Sequence, residues 1–338
     1  MKLRVLERRQ VVWPDGRGGN GECWLDVGDH RFNLEEAHWV LANYGGDRKV
    51  LVPTIAEAEP GDSVAVIRDM GFGDILMTTP TVRAMHEFGL RVHYWTLARY
   101  LPLLRGNPCV ESVHDLGTAT ASPDTGDCDI VLNWCKSVER DPRYDSVPRV
   151  NLFASAACQE LNGRPPTPEY YATRSEWQTA DSMWNTKAPK VVLVARASDY
   201  RRNWPYMREL SERLAAEGIV CGVLDQDPTA CWERDGVHNF GGVGMRESIA
   251  LIGTADAVVS HDTGLLYCGP ATGTPTIGIF GCWQPRLRLE GMPGVFTFDA
   301  NEILGRGYCY DHIGCDGRQL EAVTVEAVQA KVKEMMAT

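Results

Sequence analysis

The chain has 338 residues, 44% of them apolar and 23% charged, which is the makeup of a globular protein with room for two domains and a substantial core. A formal net charge of −11 excludes a general attraction to nucleic acid or anionic lipid. The opening MKLRVLERRQVVW meets charge too often for a secretory signal, and the longest uncharged run, 263–285, is broken by Gly, Pro and Thr and so reads as helix, turn and short strand instead of a membrane span.

Residues 1–60 read as a small α+β extension. A strand is expected over 3–13, a Gly-rich loop follows at 14–21, and a short helix runs from Asn33, its cap, to about 42. From 62 onward short apolar runs alternate with helical stretches. Strands are expected at 63–67, 91–97, 129–134, 190–195, 219–224, 257–260 and 276–280. Helices are expected near 75–88, 207–217, 246–255, 264–272 and 324–337. Such alternation implies an α/β protein with parallel sheets. It lapses between about 150 and 188, which reads as a connection between two domains.

Three stretches look like more than scaffold. The first strand runs into Arg68-Asp-Met-Gly71-Phe72-Gly73-Asp74. Its two glycines permit a tight turn and a close backbone approach. Asp74 stands near a helix start, where capping alone would explain it. A dinucleotide fingerprint is short of its third glycine, since Leu76 stands there, and no Gly-Lys-Ser/Thr of a P-loop is present. Pro80 kinks this helix or begins a new one with Thr79 as cap. The second stretch, Ser260-His-Asp262-Thr263-Gly264-Leu265, closes a strand and opens a helix, a place that favours phosphate. The third, Arg201-Arg202-Asn-Trp-Pro, follows a strand as an anion clamp or as a solvated loop.

Other signals are weaker. Asp225-Gln-Asp227 and Asp127-Cys-Asp129 are common tripeptides; the former is kept as a contact for ribose hydroxyls. Eleven scattered cysteines favour free thiols in a reducing compartment. Cys309-x2-His312-x2-Cys315 offers three zinc ligands, with Cys282 as a distant fourth; ordinary thiols are the alternative.

Taken in order, these stretches resemble glycosyltransferase family 9, the ADP-heptose:lipopolysaccharide heptosyltransferases. VAVIRDMGFGDILMTTP resembles the family's opening strand and Gly-Asp loop. Arg202-Asn-Trp-Pro resembles its Lys-x-Trp-Pro, and the stretch 258–281 resembles its Asp-Thr/Ser-Gly block. Two departures stand out: Arg202 replaces the Lys, and Tyr267 replaces the His after Asp-Thr-Gly.

The resemblance implies a GT-B fold, two Rossmann-like domains facing across a cleft. An acceptor domain would occupy 61–170, a nucleotide-sugar domain 171–323, and the helix of 324–338 would cross back to the first domain. It implies an inverting, metal-independent glycosyltransferase with no cofactor, a nucleotide-diphosphate sugar as donor and a cell-surface saccharide as acceptor. Asp74 would be the base. Arg202 would act on the leaving diphosphate. Arg201, Asp225, Asp262, Thr263, Gly264, Leu265 and Tyr267 would hold the donor, and Gly71, Phe72 and Gly73 would form the acceptor loop. Such an enzyme would be cytoplasmic, without a transmembrane segment, and peripheral at the inner membrane. Two alternatives stand beside it: glycosylation of modified bases in DNA, against which the acidic charge counts, and a GT-B-like protein that binds nucleotide or sugar without transfer.

Overall fold

The apolar runs that alternate with helices from residue 63 onward build two parallel sheets. In this computed structural model the described residues are 54–337, apart from 118–124, 126–127, 136, 160, 162, 228, 230–231 and 311–315, together with the strand backbones inside 2–51. Those N-terminal strands are β1 (Lys2–Val5), β2 (Arg9–Pro14), β3 (Asn20–Leu25), β4 (Gly28–Arg31) and β5 (Val50–Leu51). They pair antiparallel, as a sheet of order β4-β1-β5 and a β2-β3 hairpin. The single strand expected over 3–13 is therefore two; the helix expected from Asn33 lies outside the described residues.

The first parallel sheet contains β6 (Ser63–Ile67), β7 (Arg91–Thr96), β8 (Ser112–Asp115) and β9 (Ile130–Asn133), in spatial order β8-β7-β6-β9. The second contains β10 (Lys190–Val194), β11 (Val220–Leu224), β12 (Val237–Asn239), β13 (Ala257–His261), β14 (Thr276–Phe280) and β15 (Val295–Asp299), in order β12-β11-β10-β13-β14-β15. Numbered within each sheet, the orders are 3-2-1-4 and 3-2-1-4-5-6, the doubly wound arrangement in which the winding direction reverses between the first and fourth strands.

The second sheet shows why its strands read as near-continuous apolar runs. Alternate residues face opposite sides, and both sides are covered. Val192, Val194 and Val258 pack on one side with Trp184, while Val191, Leu193 and Val259 pack on the other with Leu210 and Leu214. The first of these cores is continuous with that of the first sheet, through Val64, Val66, Val92 and Tyr94.

Helix α1 (Phe72–Glu87) carries Pro80 within it and does not restart there. Pro80 has no N–H to give to the carbonyl one turn back, that of Leu76. The Thr79 hydroxyl supplies the bond instead, donating to Leu76 O at 2.7 Å, and it accepts Glu169 N at 2.7 Å. Thr79 thus mends the helix where it was expected to cap a new one.

The 150–188 connection is more ordered than its sequence suggested. It begins inside one helix, Arg149–Ala156, and contains another, Arg174–Trp184, opened by a Thr173/Glu176 capping box. Glu176 also receives Arg246, from the helix Met245–Gly253. The Arg246 guanidinium is buried, stacks over Tyr170 and donates to Pro102 O at 2.7 Å and Tyr171 O at 2.9 Å. One side chain therefore binds the first half, the connection and the second half together.

The last helix, Val325–Met336, packs on the second sheet through Val325, Val328 and Val332, with Arg213 of the helix Met207–Ala216 paired to Glu326.

Replacing Arg246 with Met should destabilise the protein by about 3–5 kcal/mol in urea unfolding, because Glu176 and two carbonyls lose a buried partner. The Arg246 hydrogen bond, more than any other contact, holds the Glu176 carboxyl down at about 2. Its folded value lies below its unfolded one, so the stabilisation is complete above the ordinary carboxylate range and fades as pH falls through it toward 2. The Glu176→Gln variant should show a melting temperature less dependent on pH in that window.

Candidate functional site

In doubly wound sheets the crevice beyond the strand ends at the reversal point is where ligands sit. Here the two reversal points, β6/β9 and β10/β13, open into one shared cavity of about 820 Å³. Gly71, Phe72, Gly73 and Asp74 line it from the loop after β6. Arg202 lines it from beyond β10, Asp225 from the end of β11, and Asp262, Thr263, Gly264, Leu265 and Tyr267 from beyond β13. Arg201 does not join them: it turns to Asp199, at 2.8 Å, and the clamp has one arginine instead of two.

Asp74 lies in the first turn of α1 and does not cap it; the cap position belongs to Gly71, in a left-handed conformation with φ 86°. The Asp74 carboxylate is held on both sides. Arg68 Nη2 donates to Oδ2 at 2.8 Å, and Arg149 Nη1 donates to Oδ1 at 2.8 Å. Arg68 is buried and spends its remaining donors on Met70 O, Trp134 O and Glu139. Burial opposes the Arg68 charge, but Glu139 and Asp74 outweigh it and hold its pKa above the ordinary range. Arg149 reaches Glu139 as well, at 3.2 Å. The four groups form one chain of alternating charge.

On the opposite wall, Arg202 Nη1 donates to Asp262 O at 2.8 Å and lies 3.9 Å from Asp262 Oδ2. Arg202 Nε and Asp262 Oδ2 are buried without a hydrogen-bond partner, a combination that buried polar atoms rarely show unless something else satisfies them. The neighbouring motif residues are structural: Asn203 accepts Ala197 N at 2.6 Å, and Trp204 Nε1 donates to Val323 O at 2.8 Å. Asp225 is occupied. Arg196 grips it in a fork, at 2.9 Å and 2.7 Å, and Asp227 N donates to it at 3.0 Å. Asp225 thus fixes an arginine at the cavity edge and leaves little of its carboxylate for a ribose.

Beyond β13 the helix expected over 264–272 is a 3-10 turn, Gly264–Tyr267, followed by a short α-helix, Cys268–Thr272. Burial pushes the Tyr267 phenol up, so it stays protonated. Burial pushes His261 down to about 4, so the imidazole is neutral. The glycines have a second purpose. A Cβ on Gly73 would stand 2.6 Å from the Tyr267 ring, and one on Gly264 2.6 Å from the Phe72 ring. The start of α1 and the 3-10 turn touch across the two halves, and Phe72 plugs that contact more than it forms an open loop.

The sequence reading missed Arg68, Arg149, Glu139, Arg196 and Arg288. Arg68 and Arg196 had a local signal, a charge directly beyond a buried strand. Arg149, Glu139 and Arg288 lie outside every motif and gave none. Of the D-x-D pairs, Asp127 lies outside the described residues, and Asp129 accepts Ser63 N and Oγ inside the first sheet. His312 and Cys315 of the Cys/His patch also lie outside the described residues, among which no group of three or more His, Cys, Asp or Glu could hold a metal ion.

Residues 130–288 match the family described as glycosyltransferase family 9 (heptosyltransferase), which bears out the resemblance read from the motifs. No curated protein matches by sequence. Among solved structures, a family 9 glycosyl transferase from Veillonella parvula DSM 2008 superposes with a TM-score of 0.66 at 11% identity, covering 82% of this chain and 98% of its own. The E. coli ADP-heptose lps heptosyltransferase II gives 0.64 at 15% identity, over 81% and 98%. The dodecameric iron-containing heptosyltransferase TibC, in complex with ADP-D-beta-D-heptose, gives 0.62 at 13% identity, over 99% and 93%; TibC comes from enterotoxigenic E. coli H10407. The fold is GT-B, with its two parallel sheets.

Gly73→Ala should force the two halves apart or twist Tyr267 out of place, since the new methyl would also lie 3.3 Å from the Gly264 Cα. The expected loss is about 1–3 kcal/mol, read by chemical denaturation.

Proposed function

Starting from a chain that carries a glycosyltransferase family 9 domain, we propose that it is an inverting glycosyltransferase whose transfer step needs no metal. The donor is a nucleotide-diphosphate sugar and the acceptor a saccharide hydroxyl. The observation that carries this reading is that Asp74 and the Arg202–Asp262–Thr263 group line opposite walls of one cavity, at the two facing reversal points. A carboxylate on one wall and a guanidinium on the other suit in-line displacement.

In that reading Asp74 takes the proton of the attacking hydroxyl as the sugar carbon gains oxocarbenium character. Its present partners set a condition. Each oxygen already accepts from an arginine, so the hydroxyl must take one of the remaining lone-pair sites or displace an arginine. Arg149 is the one that can leave, because it already touches Glu139, whereas Arg68 is buried with its donors committed. On the far wall Arg202 stabilises the charge that builds on the departing diphosphate. Its unsatisfied Nε supports that role. Thr263, Gly264, Leu265 and Tyr267 shape the same wall, and Gly71 and Gly73 let the first half come close.

ADP-heptose is named for both the E. coli heptosyltransferase II and TibC, which makes it the first donor to test. TibC is described as iron-containing, so metal independence needs its own measurement: transfer should survive exhaustive chelation. Among the described residues no helix is long and apolar enough to cross a membrane. Cys109, Cys135, Cys158, Cys221 and Cys268 are free thiols, which supports a cytoplasmic setting; peripheral contact with the inner membrane is part of the same proposal.

A second reading, binding without transfer, is favoured by one observation: each oxygen of the Asp74 carboxylate is already paired with an arginine. A thermal-shift screen over ADP-, UDP-, GDP- and dTDP-linked sugars identifies the donor, since a bound ligand raises the melting point by mass action. Asp74→Asn should then lower turnover about 10²–10⁴-fold while the donor dissociation constant moves only a few-fold. Near-normal turnover in that variant removes Asp74 as base. Donor binding with no transfer to any saccharide acceptor selects the second reading.

A further inference from the structure

Four arginines line the cavity, and three of them are accounted for by neighbours: Arg149 by Asp74 and Glu139, Arg196 by Asp225, and Arg202 by Asp262. Arg288 is the exception. It sits in the short helix Arg286–Leu289, is 91% buried by its 9% relative exposure, and forms no ion pair with any described residue. Its Nε is buried without a hydrogen-bond partner, and the guanidinium stacks over Trp283 with 4.1 Å to the ring centroid. Burial works against this charge, yet Asp262, and beyond Tyr267 also Asp74 and Glu139, keep it protonated, with its pKa above the ordinary range. A buried cation whose donors are unspent is unfavourable unless an anion completes it.

Its position says which anion. Arg288 lines one cavity with Asp262, from the wall beyond β13, and Asp74, from the wall beyond β6, so it shares that space with both the donor wall and the candidate base. Trp283 holds the guanidinium plane, which leaves its edges to donate. Resting on the transferase reading above, we propose that Arg288 is a further catalytic residue, donating from its guanidinium to the outer phosphate of the nucleoside diphosphate, the one bonded to the sugar. In the transfer step the bond from the anomeric carbon to that phosphate's bridging oxygen breaks with its electron pair. The acceptor oxygen forms the new bond and gives its proton to Asp74, and Arg288 balances the charge left on the phosphate. Arg202, anchored to Asp262 O, would then serve the inner side of the diphosphate.

The test compares diphosphate with monophosphate. The nucleoside diphosphate among ADP, UDP, GDP and dTDP that stabilises the wild-type chain is titrated calorimetrically against its own monophosphate. Arg288→Gln should weaken the diphosphate about 10- to 100-fold and leave the monophosphate within about 2-fold, as expected for loss of charge-assisted hydrogen bonds to one phosphate. Arg288→Lys keeps the charge without the fork and should lose about 3- to 10-fold on the diphosphate alone; it carries the test should the Gln variant not fold. Unchanged diphosphate affinity, or equal weakening of both nucleotides, overturns the assignment while leaving the transferase reading intact. If no nucleoside diphosphate binds the wild-type chain, the transferase reading fails and the assignment fails with it.

Discussion

Arg68 is the constraint from which the site follows. It stands at the end of the central strand of the first sheet, buried, and its donors reach four different places: the carbonyls of Met70 and Trp134 and the carboxylates of Asp74 and Glu139. The first two fix the loop after β6 against the loop after β9, the two strands that flank the reversal point. The last two fix Asp74, which lines the cavity, and Glu139 behind it. A lysine in its place could supply the charge but not the fan of directed bonds that holds all four. The position of Asp74 is therefore set by the first sheet itself, not by the helix whose first turn it occupies.

A second constraint brings the halves together. Gly73 against Tyr267 and Gly264 against Phe72 allow two element starts to approach as closely as backbone permits. Arg246 secures the same arrangement from the other side, through Glu176 and the carbonyls of Pro102 and Tyr171. Packing sets the closeness, and the Arg246 bonds pin the connection to both halves. Between them the cavity keeps a definite width, and opposite walls can act on one ligand.

The sequence disclosed what is local and hid what is assembled. The strand Thr276–Phe280 was legible to the residue, because four apolar or β-branched residues around Gly278, bounded by Pro275 and Gly281, admit few other readings. The cavity-facing loops were legible too, since glycine and charge after a buried strand contradict a purely structural use. Pro80 misled, because its cost to the helix is offset by a hydroxyl one residue earlier, and that bond appears only in three dimensions. Arg201 misled because sequence cannot say which of two adjacent arginines turns inward; the capping bond of Asp199 decides it. Arg149, which partners Asp74, and Arg288, which stands alone, come from helices distant in sequence from the Asp74 loop, and only the folded chain brings them to one cavity.

The continuous apolar core that runs from Val64 and Tyr94 into Val192 and Trp184 has its own consequence. Each half of this molecule is built like an independent module, yet neither owns all of its interior. Severed at the connection, both pieces would bare greasy surface to water and cling to one another or to strangers. A foreign donor half grafted onto this acceptor half would have to carry the matching interior with it, so the two halves are not interchangeable parts.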